Sequence, residues 1–218
     1  MSQAGAGSRM AEMEQTNLMR GNRLCLDFVN LAFVAGEPIA RMTSWSEFVE
    51  FLAEKRIVSE NRGESLQNLP ETDANASQNL LNKVERLGQG IRFAARALAR
   101  NGRIHREWIE PVNEILRVTE GHDELVFDGN VWRLGFLAKE EGLDWLLAAI
   151  ARSAAELIAN GAQSGVRQCS NPNCQLLFCD DSRTGRRRWC SMALCGNRSK
   201  VAAFAKRHGA EKARAQHA

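Results

Sequence analysis

Four cysteines in the last quarter of the chain, arranged in two pairs of equal spacing, constrain its fold more than any other feature. The pairs are Cys169-x4-Cys174 and Cys190-x4-Cys195, and fifteen residues lie between them. Thiolates are soft ligands, and two short cysteine pairs at about this separation are typical of a tetrahedral Zn²⁺ site. Because the protein supplies all four ligands, no coordination position remains for water or substrate. The spacing therefore predicts one structural zinc ion.

The remaining composition indicates a protein of a reducing compartment. The 218 residues are 44% hydrophobic and 25% charged, as is ordinary for a globular protein with one substantial core. The first twenty residues contain no apolar secretion signal, so metal binding is favoured over disulfide bonds for the six cysteines. The most apolar stretch, residues 143–159, is interrupted by charges and is not expected to span a membrane. We expect a cytoplasmic protein with no membrane partner.

Charge is distributed unevenly along the chain. Residues 165–218 contain eleven Lys or Arg and three acidic residues, a net charge of +8, whereas residues 1–164 contain 18 and 23, a net charge of −5. Four thiolates with one Zn²⁺ would lower the charge of the last segment to about +6. Such a segment is typical of proteins that bind a polyanion, nucleic acid first, although a solvated basic tail would have the same composition.

The first part of the chain predicts a disordered segment, residues 1–20, and a mostly helical domain, residues 21–164. Thr43 or Ser44 is the candidate N-cap of a helix whose apolar stripe is Trp45, Phe48, Val49 and Leu52. The polar residues 59–76, which include Gly63 and Pro70, are expected to form a loop. A long amphipathic helix that ends at Asn101-Gly102 should follow, with an inward face of Leu80, Leu81, Val84, Leu87, Ile91, Ala94, Ala95 and Leu98.

Three further elements are expected before the cysteines. Residues 106–118 predict a helix that contains Pro111. Residues 125–127 and 131–134 flank an Asp-Gly turn, the pattern of a β-hairpin. Residues 143–160 predict a central helix that Gly161 ends, and residues 163–165 a short hinge. The apolar residues 24–31 are too few for periodicity to distinguish a strand from a helix.

Residues 165–218 are too few to fold by apolar burial alone, and a structural zinc contributes about 10–16 kcal/mol. Residues 170–173 are all turn formers and should make a tight knuckle. Residues 175–180 and 187–190 are expected to pair as strands. On one continuous helix Cys190 and Cys195 would lie about 140° apart, so we expect Cys190 to end a strand and Cys195 to open a helix.

Asn197 is the candidate N-cap of that helix, which should run over residues 198–208. One of its sides, with Val201, Phe204, Ala205 and His208, is expected to pack on the knuckle. A knuckle, a hairpin and a ligand-bearing helix make the treble-clef arrangement. The predicted fold class is therefore α+β and predominantly helical: a helical N-terminal domain with a small β-hairpin, followed by a C-terminal treble-clef zinc finger with a basic helix.

The cysteine segment closely resembles the CGNR zinc-finger family. The resemblance is carried by both cysteine pairs together with Phe178, Asp180, Ser182-Arg183, residues 187–192 and the Cys195-Gly196-Asn197-Arg198-x-Lys200 run. Upstream, residues 24–30, LCLDFVN, resemble the opening of the ABATE domain that accompanies this finger. The resemblance implies a mostly helical N-terminal domain, a DNA-binding finger and a role as a stress-induced transcription regulator.

Double-stranded DNA is accordingly the expected partner, which would place the protein at the nucleoid. Arginine can bond guanine in two places, whereas lysine mainly neutralises phosphates. The candidate contacts are Arg183, Arg186, Arg187, Arg188, Arg198, Lys200, Lys206 and Arg207. Two alternatives stay open: a zinc-stabilised module that binds a protein of the transcription machinery or another acidic partner, and an RNA-binding module.

No pattern of catalytic residues is present in the sequence, and we expect no enzyme. The four histidines form no metal-binding pair, and there is no Gly-rich phosphate loop. The N-terminal domain could instead sense a small-molecule effector. Arg92, Arg96 and Arg100 could bind an anion, but a solvated helix edge is favoured. Asp27 and Asn30 are expected to have structural roles.

Two cysteines lie outside the four-cysteine pattern. Cys179 follows Cys174 by five residues and could replace a ligand or act as a redox thiol, but packing as a small strand residue is favoured. Cys25, between two leucines, is expected in the core.

Overall fold

A computed structural model describes residues 23–31, 33–34, 37–38, 44–127, 132–202 and 204–205. Helices dominate the described residues, and the strands form three separate antiparallel pairs. The predicted disorder of residues 1–20 lies outside them. In chain order the elements are α1 (Leu24–Asn30), β1 (Phe33–Val34), β2 (Glu37–Pro38), α2 (Trp45–Glu54), α3 (Glu60–Gln67), α4 (Leu69–Thr72), α5 (Ala74–Ala99), α6 (Arg106–Val118), β3 (Gly121–Phe127), β4 (Trp132–Ala138), α7 (Ala148–Ala159), β5 (Val166–Gln168), β6 (Leu177–Cys179) and α8 (residues 197–202 and 204–205).

Helix α2 begins where the sequence predicts it. The Ser44 side chain accepts a hydrogen bond from the amide of Glu47 at 3.2 Å and so satisfies one of the free donors at the helix start. The predicted apolar stripe is buried, and the Trp45 indole donates to the carbonyl of Leu66 in α3.

The predicted loop over residues 59–76 is wrong, because this stretch is helical. Ser59 caps α3 by accepting from the amide of Arg62, and Asp73 caps α5 by accepting from the amide of Ala76. Pro70 lies in the first turn of α4, where its missing N–H costs nothing. The polar residues indicate exposure of these short helices, not a lack of helical structure.

Helix α5 is the long helix that the sequence predicts, and it ends beside Asn101, whose φ is +52°. Of its predicted inward face, Leu81 and Leu98 are half-buried and the other members are buried. Helix α6 has the predicted bounds and contains Pro111. The two helices approach closely at Gly90, where a Cβ atom would lie 2.5 Å from the carbonyl oxygen of Trp108.

The predicted helix over residues 143–160 forms in two parts, a 3₁₀ turn over Asp144–Leu147 and then α7. Helix α7 is central as predicted. Its Ile150, Ala151, Ala154 and Leu157 are buried, and Gly161, with φ at +51°, follows its end. Residues Gly161–Ser164 form a 3₁₀ turn in place of most of the predicted hinge.

The predicted hairpin is present and longer than expected, with seven residues in each of β3 and β4. Its register pairs Phe127 with Trp132 and Gly121 with Ala138. The Asp-Gly turn lies outside the described residues. No helix in the described part of the chain is both long and apolar enough to cross a bilayer.

The predicted strand pairing in the cysteine segment is wrong. Strand β6 pairs with β5, which precedes the first cysteine, through Val166 opposite Cys179 and Gln168 opposite Leu177. Residues 187–190 form no strand. Their backbone bond to the knuckle runs from the Ser170 amide to the Arg188 carbonyl at 2.8 Å. Strand β6 turns toward β5 because Val166, Leu177 and Cys179 are buried together with apolar residues of the helical domain.

The start of α8 also differs from the prediction. The cap is Ser191, which accepts from the amide of Leu194 and precedes a single π-helical turn, Met192–Gly196. Asn197 is itself helical and donates to the carbonyl of Ala193. The side of α8 expected to pack on the knuckle is exposed, with Val201 at 68%, and His208 lies outside the described residues.

Two groups of buried side chains result. The first, here called the main core, joins α1 to α7 with β5 and β6. The second, here called the metal core, consists of the four paired cysteines with Leu176 and Phe178, and Trp189 packs against it half-buried.

Candidate metal centre and basic surface

The two cysteine pairs meet at one point, as the sequence predicts. Cys169 and Cys174 flank the knuckle after β5, and Cys190 and Cys195 flank the start of the π-helical turn. All four are buried, and their Sγ atoms lie within 4.8 Å of one another. Because Cys195 sits in a wide turn rather than in α8, the 140° offset expected on a continuous helix does not separate it from Cys190.

The spacing of the sulfur atoms fits zinc. The Sγ atom of Cys190 lies 3.7 Å from that of Cys174 and 3.6 Å from that of Cys195. A tetrahedron with Zn–S bonds of about 2.3 Å has sulfur atoms about 3.8 Å apart. Four thiolates are a donor set typical of structural zinc, so these cysteines are positioned to bind one zinc ion with no open position.

Two donors outside the ligand set orient the sulfur atoms. The amide of Cys190 donates to Cys169 Sγ, and the Asn171 side chain donates to Cys195 Sγ, each at 3.5 Å. The knuckle is closed by a bond from the Cys174 amide to the Asn171 carbonyl at 2.8 Å. Such contacts stabilise thiolate charge and fix ligand direction, so the knuckle is shaped for a metal.

Hydrogen bonds among the thiols of Cys169, Cys174 and Cys190 shift their pKa values in opposite directions. Hydrogen bonds from Cys174 and Cys190 lower the pKa of Cys169. The bond to Cys169 raises the pKa of Cys174, and the pKa of Cys190 is raised for the same reason. Because every ligand must lose its proton, metal binding here releases protons and is opposed by acid.

The glycine that follows Cys195 lies close against two side chains of the module. A Cβ atom on Gly196 would lie 2.8 Å from Met192 Sδ and 3.3 Å from Trp189 Cδ1. The Trp189 ring therefore lies directly against the start of α8. This contact joins the residues before Cys190 to the helix after Cys195.

A buried carboxylate stabilises the loop between β6 and Cys190. The Asp180 side chain is 1% exposed, and it accepts from Arg167 Nε at 3.0 Å and from the Arg187 amide at 2.8 Å. Burial alone would raise the pKa of Asp180, but these bonds and those from Ser182 outweigh it and lower the pKa. Asp180, singled out by the family resemblance, is thus a structural residue.

Arg187 is held inside the module. Its guanidinium lies over the Phe178 ring, 4.5 Å from the centroid, and donates to the carbonyls of Trp189 and Cys190. These bonds satisfy backbone acceptors beside a metal ligand. The side chain expected to contact DNA here stabilises the metal core, so its replacement would change the module itself.

The other candidate cations among the described residues are exposed. Arg188 stacks on the Trp189 ring at 5.2 Å, next to the start of α8, and so lies near the helix that bears Arg198 and Lys200. Within the described part of the chain no carboxylate forms an ion pair with any of these side chains. Lys206 and Arg207 lie outside the described residues. The exposed set, here called the basic surface, is Arg183, Arg186, Arg188, Arg198 and Lys200.

The two remaining cysteines belong to the main core. Cys179 lies in β6, outside the sulfur cluster, and Cys25 lies in α1. Burial raises the pKa of Cys25 to about 12 and also raises that of Cys179. A neutral buried thiol behaves as a small apolar residue, which supports the packing interpretation of both.

The contact between the two regions is a feature that the sequence analysis missed. The Asn30 side chain, 2% exposed, donates to the Leu177 carbonyl at 2.7 Å and accepts from the Leu177 amide at 3.1 Å. It takes the place of a neighbouring strand along β6. The only sequence signal was a polar residue within an apolar stretch, and its structural role is as expected.

The three arginines of α5 lie along the same contact. Arg92 donates to the Val29 carbonyl, Arg96 to Gln175 and Arg100 to Gln168. Burial, together with the neighbouring Arg96, lowers the pKa of Arg92 to about 10. The favoured expectation of a solvated helix edge is therefore wrong for Arg92 and Arg96, which are half-buried, because α1 lies against Arg92 and the zinc module against Arg96.

Comparison with known families matches both regions. Residues 166–208 match the CGNR zinc finger, and residues 22–161 match ABATE, described as "putative stress-induced transcription regulator". No curated protein matches the chain significantly. The motif resemblance is thereby confirmed over both regions. Because the second match alone spans more than half of the chain, the protein belongs to the ABATE family and has a CGNR zinc finger after its ABATE region.

Proposed function

We propose that this protein is a transcription regulator that binds double-stranded DNA with the basic surface of its zinc module, a treble-clef variant in which β6 pairs with β5 and not with residues 187–190. The observation that carries the proposal is the basic surface itself. Its five exposed cations form no ion pair with a carboxylate of the described residues, and they belong to a module built around four cysteines. Arginines of such a surface can read guanine in the major groove, and the lysine can neutralise phosphate. Lys206 and Arg207 lie outside the described residues and stay candidate DNA contacts.

The metal has a structural role in this proposal. It holds the residues before Cys190 against the start of α8, so that Arg188 and Arg198 are presented from adjacent segments. Arg187 is a positioning residue, because its guanidinium is engaged with Phe178 and two backbone carbonyls.

The proposal is tested by fluorescence anisotropy with a pool of random duplexes at several salt concentrations. If about five phosphates are contacted, log K should fall with log salt at a slope of about −4 to −5. Replacing Arg183, Arg186 and Arg188 together with Gln should make the slope less steep by about three and leave zinc in place. The matched control replaces Arg103 and Arg106, two exposed arginines of the helical region, with Gln.

A salt-independent signal, or equal binding by the triple variant and the control, would contradict DNA binding. Capture of an acidic protein after nuclease treatment would favour the protein-binding alternative, in which the module contacts the transcription machinery. Preference for single-stranded or structured RNA over duplex DNA would favour the RNA alternative.

We further propose that the helical domain senses a small-molecule effector. A cleft of about 740 Å³ lies where the base of the hairpin meets α7, and it is lined by Glu120, His122, Phe136, Lys139 and Arg152 among others. An apolar ring beside charges of both signs suits a small polar metabolite. Thermal-shift screening with a metabolite library tests this proposal, and uniformly absent shifts would contradict it.

A further inference from the structure

The hairpin carries an unusual group of exposed apolar side chains. Leu125, Phe127, Trp132 and Leu134 are each between 52% and 70% exposed. The register places Leu125 opposite Leu134 and Phe127 opposite Trp132. Cross-strand partners of an antiparallel pair point to the same side of the sheet, so the four side chains share one side, here called the hairpin face.

The hairpin face continues a packed surface. Asp123 and Phe136, the next cross-strand pair toward the base, lie on the same side of the sheet. There Arg152 of α7 pairs with Asp123 at 2.8 Å and covers the Phe136 ring at 4.2 Å. Beyond this pair the same side of the sheet is exposed, and the Phe127 and Trp132 rings contact each other at 5.2 Å.

The hairpin face is about as large as the largest apolar patch of a typical monomer. A covered Phe or Trp buries about 150–250 Å², so the four side chains leave on the order of 500 Å² of apolar surface exposed. The largest apolar patch of a monomer is about 300–600 Å² and is often functional. The described edges of β3 and β4 also have no other strand beside them.

We propose that the hairpin face is the contact surface of a homodimer, in which the hairpins of two copies stack face to face about a two-fold axis. The face bears no charged side chain among its four members, so it fits an equally apolar surface. Its two cross-strand pairs make it complementary to a copy of itself, as a two-fold contact requires. Two such faces together bury about 1,000 Å², which is about the lower bound for a specific interface.

Sedimentation velocity and light scattering on the full-length zinc-loaded protein test this proposal, with no DNA present. We expect the wild type to have twice the mass of the 24.3 kDa chain. Leu134→Asp should weaken dimerisation on the order of 100-fold, because the two-fold axis introduces the charge twice. The matched control is Val118→Asp, which changes an exposed aliphatic residue outside the hairpin face.

A wild type that stays monomeric at all concentrations overturns the proposal. A Leu134→Asp variant that remains dimeric with unchanged affinity also overturns it, because the interface then lies elsewhere. Circular dichroism and zinc content should match the wild type. If Leu134→Asp loses structure, the milder Leu125→Asn variant replaces it, with the same two outcomes. Since no step involves the basic surface, failure here is separate from failure of DNA binding.

Discussion

In the main core the buried residues are mostly aliphatic and aromatic, whereas four of the six buried residues of the metal core are cysteines. The main core draws on seven helices, and the stability of such a core comes from the apolar area removed from water. The metal core has only Leu176 and Phe178 as large buried apolar residues. In the zinc module the metal therefore has to supply the stabilising free energy that buried apolar area supplies in the helical domain.

The largest expected effect on stability comes from removing the metal. Cys169→Ser replaces one ligand, and the module should lose its ion and unfold, at a cost on the order of 10 kcal/mol. Elemental analysis and hydrogen exchange over residues 169–196 measure the result. The control is Cys179→Ser, equally buried but in the main core, which should keep zinc. Equal zinc content in the two variants would contradict the assignment of ligands.

A cavity in the main core should lower stability without removing zinc. Leu87 of α5 is fully buried, and Leu87→Ala should lower the free energy of unfolding by about 2–5 kcal/mol. Zinc should stay bound under conditions where the variant is folded, because none of the ligands contacts this site. Chemical denaturation with a parallel metal assay tests this prediction. Zinc loss from the folded variant would show that the two cores are not distinct.

The contact between the cores is tested at Asn30. Asn30→Ala leaves both the amide and the carbonyl of Leu177 without their buried partners, at about 1–3 kcal/mol for each group. The Leu177 amide should exchange faster with solvent. The exposed Asn82 offers a control, since Asn82→Ala should change neither exchange nor unfolding. Unchanged protection of Leu177 would contradict the role given to Asn30.

The smallest expected effect comes from two serine N-caps, one in each region. Ser44 caps α2 of the main core, and Ser191 caps the turn that bears Cys195. Ser44→Ala should cost about 1 kcal/mol of unfolding free energy. Ser191→Ala should cost less, because the zinc ligands already fix the turn. Thermal unfolding of the two variants at equal zinc loading distinguishes these values, and a larger cost at Ser191 would contradict the argument.

Elements with a strong local signal were predictable from the sequence. The spacing of the cysteines indicated the sulfur cluster, and the long helix α5 followed from its apolar periodicity. The hairpin followed from its Asp-Gly turn pattern, although that turn lies outside the described residues. In each case residues close in sequence determine the structure.

Elements that depend on distant partners were not predictable. Strand β6 pairs with β5 because both contribute to the main core, and no local pattern indicates that contact. Arg187 looked like any other cation of an arginine run, yet the position of Phe178 and two carbonyls turns it inward. Helices α3 and α4 were missed because their composition is polar and loop-like, although Ser59 caps α3 and Pro70 lies in the first turn of α4.

The Asn30 bonds have a mechanical consequence. Helix α1 is tied by two hydrogen bonds to Leu177, which is only three residues beyond the ligand Cys174. A segment of three peptide units is too short to act as a hinge. A shift of α1 should therefore change the position of the Cys174 sulfur. The zinc module is therefore expected to move together with helix α1, and not independently of it.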